Sequence, residues 1–136
     1  MAQPHPDAPA IKPLQAYRLI PPGGTIGVVG GGQLGRLIAA AATRLGLKTH
    51  VFVDAPDSPA ADCAAATVIA PYEDVEALKV FAAGVDVVTY EFENVPAAPL
   101  EALVTAGVAV APGVRALTIA QDRLLEKEFA QSLGAA

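Results

Sequence analysis

The sequence alternates short β-branched runs with longer stretches in which apolar residues recur every three or four positions. Glycine, proline or aspartate bounds most of the short runs, as is usual for buried strands. Five runs predict strands, at Thr25–Val29, Lys48–Val53, Thr67–Ala70, Val85–Tyr90 and Val108–Ala111. Strands that alternate with helices over short links are typical of a parallel sheet covered on both faces. We therefore predict a Rossmann-like, doubly wound parallel α/β fold.

The stretches between the runs predict helices. In the first helix, apolar residues at one-turn spacing predict a single buried stripe made of Leu34, Leu37, Ile38, Ala41 and Leu45. Residues 62–66 are compatible with a short helix. Longer helices are predicted at 74–83, 96–106 and 114–133, and we expect the last to break near Asp122.

The first 22 residues differ from the rest, because they hold six of the 12 prolines. Proline at this density is incompatible with a helix or a central strand. We predict a proline-rich N-terminal extension over residues 1–22 and one Rossmann-like domain over 23–136. Since the last helical pattern stops just before the C terminus, we interpret the chain as a truncated or cleaved fragment.

Composition narrows the function classes. Hydrophobic residues make up 53% of the chain and charged residues 17%, which is typical of a folded domain rather than a disordered one. The net charge of −5 argues against a nucleic-acid or anionic-membrane partner. No apolar run reaches the roughly 18 residues that a membrane span needs. The single Cys63, expected to be buried, cannot form an internal disulfide, so we expect a cytoplasmic protein.

A glycine-rich loop links the first predicted strand to the first helix. Gly30, Gly32 and Gly35 fit the pattern G-x-G-x-x-G, in which the glycines allow a tight turn, close approach of a phosphate, and helix–strand packing. The N-terminus of the helix offers free N–H groups and about half a positive charge to an anion. The loop therefore predicts a phosphate or nucleotide-like ligand; the alternative is a purely structural turn.

Asp54 follows the second predicted strand, 24 residues after Gly30. In dinucleotide-binding enzymes an acidic residue near this position holds a ribose hydroxyl. Asp is also common at the start of a proline-rich turn, which is the alternative explanation. An NAD-binding function is therefore one of the open interpretations.

A second candidate site is the segment Thr-Tyr-Glu-Phe-Glu-Asn at residues 89–94. Ligands of open α/β sheets bind beyond the carboxyl ends of strands where the strand order reverses, and here we expect strands one and four to be neighbours. Glu91 should then lie close to the glycine loop. Its carboxylate suits the hydroxyls of a ribose, which donate hydrogen bonds. Glu93 is a weaker candidate, and either carboxylate could be a solvated rim residue. His50 has no Cys or acidic partner at ligand spacing, so we predict no metal site.

Four segments together resemble the N5-carboxyaminoimidazole ribonucleotide synthase family. They are Gly-Gly-Gly-Gln-Leu-Gly-Arg at 30–36, Asp-Ser-Pro-Ala at 57–60, Thr-Tyr-Glu-Phe-Glu-Asn-Val-Pro at 89–96 and Ala-Gln-Asp-Arg-Leu-Leu-Glu-Lys at 120–127. The likeness extends over about Thr25 to Gly134. It implies a pre-ATP-grasp, substrate-binding domain whose following ATP-grasp and C-terminal domains are absent from this chain.

The resemblance also implies an activity. Enzymes of this family use ATP and bicarbonate to carboxylate 5-aminoimidazole ribonucleotide in purine biosynthesis, with Mg²⁺ on the nucleotide phosphates, and they are commonly homodimers. By resemblance, Gly32, Gln33 and Leu34 would cradle the substrate's 5′-phosphate and Glu91 would hold its ribose. Arg123 would contact ATP. Since ATP and Mg²⁺ would bind mainly to the absent domains, we expect no catalytic residue here and no turnover by this chain alone.

Two other classes of function stay open. One is the NAD-binding domain of a truncated oxidoreductase, and the other is a non-catalytic module for nucleotide sensing or assembly. The related formate-dependent glycinamide ribonucleotide transformylase shares the domain type. We favour it less, because an acidic residue is expected there at the position of Gln33.

Overall fold

The part of the protein that the structure describes is organised around one four-stranded parallel sheet. A computed structural model describes residues 19–135, so most of the predicted N-terminal extension lies outside the described residues. The strands are β1 (Thr25–Val29), β2 (Lys48–Val53), β3 (Ala66–Ile69) and β4 (Val87–Tyr90). Their order is β3-β2-β1-β4, with every pairing parallel. The predicted fold class and the predicted neighbourhood of the first and fourth strands are both confirmed.

The predicted fifth strand at Val108–Ala111 is wrong, since only one isolated bridge forms there. Val110 pairs with Val88 in parallel, and the Val88 N–H donates to the carbonyl oxygen of Ala109 at 2.8 Å. The segment is too short to extend this ladder. Gly107, with φ +86°, turns the chain before it, and Pro112 has no N–H to continue the pairing.

Residues 19–135 contain five helices and one short 3₁₀ segment. They are α1 (Gln33–Arg44), the 3₁₀ segment Ala61–Cys63, α2 (Val75–Ala83), α3 (Ala97–Thr105), α4 (Val114–Gln121) and α5 (Arg123–Ser132). Of these, α1, the 3₁₀ segment and α2 connect the strands, and the last three helices follow β4. The predicted break at Asp122 is confirmed. Its carboxylate accepts hydrogen bonds from the N–H groups of Leu124 and Leu125 at 2.8 and 3.1 Å, which caps α5. Among residues 19–135 each helix is too short or too polar to cross a bilayer.

Successive strand residues point to opposite faces of the sheet, and each face of the described sheet packs into its own hydrophobic core. Val29, Phe52 and Val88 belong to the larger core, which helices α2, α3 and α4 complete with Leu78, Phe81, Leu100, Leu103 and Leu117. Val28, Val51 and Val53 point to the smaller core, which contains Ala60 and packs against Ile38 of α1. The sheet is therefore covered on both faces, as the unbroken apolar strands predicted.

The predicted buried stripe of α1 is wrong apart from Ile38, which is partly buried. Leu34, Leu37 and Leu45 are 61%, 64% and 72% exposed, and Ala41 is exposed as well. The helix instead buries Gly35, Ala39 and Ala42. Small side chains let the helix approach closely: a Cβ on Gly35 would lie 3.2 Å from the Cβ of Ala60. Cys63, expected to be buried, is also exposed.

Enlarging a residue on the buried face of α1 and shortening one on its exposed face tests this packing. We expect Ala39→Leu to lower the free energy of unfolding by about 1–3 kcal/mol, because Ala39 is fully buried. Leu37→Ala should change it by less than about 0.5 kcal/mol, since Leu37 is exposed. Urea denaturation of both variants measures these changes. A loss of about 2–5 kcal/mol in Leu37→Ala would instead support the predicted stripe.

Candidate ligand pocket at the glycine loop

Backbone contacts fix the glycine loop between β1 and α1. The Gly30 N–H donates to the carbonyl oxygen of Phe52 at 3.0 Å, and the Ala60 N–H donates to that of Gly31 at 2.9 Å. Gly30 has φ +110°, a conformation that side chains with a Cβ rarely adopt. The loop is therefore tied both to the end of β2 and to the turn that follows it.

Gly31 makes the closest packing contact of the loop, although the G-x-G-x-x-G pattern leaves its position unspecified. A Cβ there would clash with Cγ1 of Val53 and would lie 2.6 Å from the Cβ of Ser58. The pattern assigned close approach to Gly32, where a Cβ would lie 2.7 Å from Oε1 of Glu91. The one signal for Gly31 in the sequence was the uninterrupted run of three glycines.

Glu91 lies directly against the loop, as the strand order predicted. Parallel pairing aligns Val29 with Tyr90, so the residue that follows β4 comes level with the start of the loop. The Glu91 N–H donates to the carbonyl oxygen of Val29 at 3.1 Å. Its carboxylate oxygen Oε1 accepts a hydrogen bond from the Gly32 N–H at 2.6 Å. The ribose-binding role of Glu91 stays a prediction.

The loop forms one side of a pocket of about 440 Å³. Loop residues 31–34 face the turn after β2, which contributes Asp54, Asp57 and Ser58, and Glu91 with Phe92 closes the end. This volume lies within the range of small-molecule sites, roughly 300–1,000 Å³. Among the described residues that line it, three are carboxylates and none is basic. Gln33 and Leu34 are the first two residues of α1, so their N–H groups have no acceptor within the helix.

Tyr72 is a pocket residue that the sequence analysis missed. Its ring lies 6.2 Å from that of Phe52 and 6.4 Å from that of Phe92, measured between centroids. Burial, followed by the negative charge of Asp54, raises the pKa of its hydroxyl to about 12, and Glu91 adds to the effect. No sequence motif includes Tyr72. It follows β3, and it lies at the pocket because the strand order places the end of β3 beside the end of β2.

Two other candidates lie outside this pocket. Glu93 is exposed, and its backbone carbonyl accepts a hydrogen bond from Nε2 of Gln121 at 2.8 Å. Arg123 begins α5, where its side chain is 82% exposed and pairs with Glu126 at 2.8 Å. Across residues 19–135, no three His, Cys, Asp or Glu side chains come together as ligands for a metal ion.

Comparison with known proteins decides the family. The model of the ribonucleotide synthetase pre-ATP-grasp domain matches residues 24–121, which include the whole sheet and the pocket. The chain belongs to this family. The pre-ATP-grasp domain that the resemblance implied is thereby confirmed.

The relatives include enzymes of purine synthesis. The chain is 51% identical to the bifunctional purine synthesis protein purC/E of Dictyostelium discoideum, over 85% of this chain and 11% of that protein. It is 46% identical to N5-carboxyaminoimidazole ribonucleotide synthase of Brucella melitensis, over 83% of this chain and 31% of that protein. The Aspergillus clavatus N5-carboxyaminoimidazole synthase, solved with ADP and 5-aminoimidazole ribonucleotide, superposes with a TM-score of 0.74 at 33% identity, covering 83% of this chain and 30% of that one. The chain thus spans less than a third of each.

A methyl group at Gly31 should disturb the pocket through the turn that it contacts. We expect Gly31→Ala to lower the free energy of unfolding by about 1–3 kcal/mol, because Val53 and Ser58 must move. Gly113→Ala is the matched control, since no atom lies within 4 Å of its added Cβ. Thermal unfolding of both variants measures the difference. Equal stability of the two variants would contradict the packing at Gly31.

The pKa of Tyr72 provides a test of the charge in the pocket. A folded pKa of about 12, against 10.0 in the unfolded chain, means that the folded state holds this proton more tightly. The contribution of Tyr72 to stability is therefore fully present below pH 10 and is lost as the pH rises towards 12. Tyr72→Phe should remove this loss.

Asp54→Asn should lower the pKa of Tyr72 without restoring it to 10, because burial is the larger cause. Tyrosinate absorbance, measured as the difference between each protein and its Tyr72→Phe counterpart, follows this titration. An unchanged pKa in Asp54→Asn would show that Asp54 does not act on Tyr72.

Proposed function

We propose that the chain is the ribonucleotide-binding part of an N5-carboxyaminoimidazole ribonucleotide synthase. Such an enzyme uses ATP and bicarbonate to carboxylate 5-aminoimidazole ribonucleotide in purine biosynthesis. The observation that carries the proposal is the contact between Glu91 and the glycine loop, which unites an anion-binding backbone and a carboxylate in one pocket. A ribonucleoside monophosphate has the matching pair of groups.

The phosphate and the ribose fit different sides of the pocket. The N–H groups of Gly32, Gln33 and Leu34 lie at the N-terminus of α1, where the helix dipole favours an anion. The turn after β2 and the end of the pocket carry the carboxylates of Asp54, Asp57 and Glu91, which repel a phosphate and accept hydrogen bonds from hydroxyls. The 5′-phosphate therefore belongs at the loop, and the ribose hydroxyls belong at Glu91.

ATP and Mg²⁺ are assigned mainly to other parts of the full-length enzyme. The described residues contain no trio of acidic or histidine ligands for Mg²⁺. Arg123 is the proposed ATP contact in this chain. Its exposed pairing with Glu126 is of a weak type, so a nucleotide phosphate can replace it. Bicarbonate as co-substrate, a homodimeric enzyme and a cytoplasmic location complete the proposal.

An NAD-binding domain is the second candidate, and the position of Asp54 favours it. Asp54 lines the pocket beyond the end of β2, where a dinucleotide-binding protein holds a ribose hydroxyl. The two candidates assign the ribose to different carboxylates: Glu91 for the ribonucleotide and Asp54 for NAD.

Isothermal titration calorimetry of the chain with 5-aminoimidazole ribonucleotide, and separately with NADH, distinguishes them. We expect the ribonucleotide to bind and Glu91→Gln to weaken it by about tenfold, as loss of a hydrogen-bonded charge does. Glu93→Gln, which makes the same charge change outside the pocket, should leave binding unchanged. NADH binding that Asp54→Asn weakens, without ribonucleotide binding, would overturn the proposal.

A further inference from the structure

We propose that Glu91 is an internal anion that makes the glycine loop select phosphoribosyl ligands over free phosphate. This specificity role goes beyond holding a ribose, and it rests on the proposed function for the class of ligand. Its basis is that the carboxylate occupies a loop N–H group on which a phosphate would otherwise bind.

The contact is a short, charge-assisted hydrogen bond. Gly32 is the N-cap of α1, and no side chain of its own satisfies the helix N-terminus. Oε1 of Glu91 accepts a hydrogen bond from the N–H of Gly32 itself, 2.6 Å from the nitrogen. A Cβ on Gly30 would lie 3.0 Å from Cγ of Glu91, and a Cβ on Gly32 would lie 2.7 Å from its Oε1. The glycines therefore leave room for the carboxylate as well as for a ligand.

A free phosphate must compete with this carboxylate. The Gly32 N–H has one proton to donate, and two anions at hydrogen-bond distance from the same nitrogen repel each other. Asp54 and Asp57 add negative charge to the same pocket, whose described lining has no basic side chain. A free phosphate has no hydroxyls held away from its own charge, so the displaced carboxylate stays beside that charge and the binding is opposed.

A phosphoribosyl ligand compensates for the displacement. When its phosphate takes the Gly32 N–H, its ribose hydroxyls offer donors to the released carboxylate of Glu91. The exchange preserves a hydrogen bond for each partner. The affinity of a ligand therefore depends on its phosphate and its diol together, and Glu91 weakens the binding of a phosphate that has no diol.

The test compares inorganic phosphate with ribose 5-phosphate on the 136-residue chain. NMR titrations that follow the Gly32 amide give both dissociation constants, and circular dichroism verifies that each variant is folded. For Glu91→Gln we expect phosphate to bind about tenfold tighter than to the unaltered chain, because a negative charge is removed from the N–H. The preference for ribose 5-phosphate over phosphate should shrink by at least the same factor.

Two further variants separate the effect of net charge from the effect of a carboxylate at the Gly32 N–H. Glu93→Gln makes the same change in net charge two residues away and should leave phosphate affinity within about twofold, since an exposed charge is screened. Glu91→Asp keeps the charge but shortens the side chain by one methylene. We expect it to weaken the contact and to give an intermediate gain in phosphate affinity. It also serves as the second variant if Glu91→Gln does not fold.

Several results would overturn the proposal. One is phosphate affinity that stays equal or falls in Glu91→Gln, and another is an equal gain in Glu93→Gln. A third is an unresponsive Gly32 amide in every protein. The outcome for the proposed function is separate: failure to bind 5-aminoimidazole ribonucleotide, with discrimination for ribose 5-phosphate intact, would remove that substrate and keep the role of Glu91.

Discussion

The parallel pairing of β1 with β4 is the constraint on which the rest of the site depends. Its register places Val29 beside Tyr90, so the glycine loop and Glu91 leave the sheet at the same edge. These two segments are 59 residues apart in the chain, yet a hydrogen bond of 2.6 Å joins them. Because both leave hydrogen-bonded strands, neither depends on a flexible loop for its position.

Close packing around the glycines supports this arrangement. Gly31 lies against Val53 and Ser58, and Gly35 lies against Ala60, so the turn after β2 and helix α1 converge on the loop. The small residues of α1 allow the approach, which leaves the leucines of this helix in solvent. The N-terminal end of the helix and the acidic turn become opposite walls of one pocket.

The sequence predicted the four strands of the sheet, the loop and the neighbourhood of Glu91 because these depend on local pattern and on a topological rule. It did not predict which face of α1 is buried. Periodicity finds an apolar face without regard to side-chain size, whereas the helix lies close to Ala60 and buries only its small residues, Gly35, Ala39 and Ala42. The prediction of a fifth strand was wrong because apolar composition does not show how far a strand ladder can extend. Here Gly107 turns the chain before the segment, and Pro112 has no N–H to continue the pairing.

What the sequence determined by itself is the order of elements, the helix break at Asp122, and a loop of glycines that exposes helix N–H groups. Each follows from the conformational preferences of neighbouring residues. Only the tertiary structure showed that Tyr72 and Asp54 share the pocket with Glu91 and the loop. Tyr72, Asp54 and Glu91 follow three different strands, and the charge that acts on Tyr72 arises where those strand ends converge. The occupation of the Gly32 N–H by Glu91 is likewise a tertiary contact, since strand pairing alone brings that carboxylate to the loop.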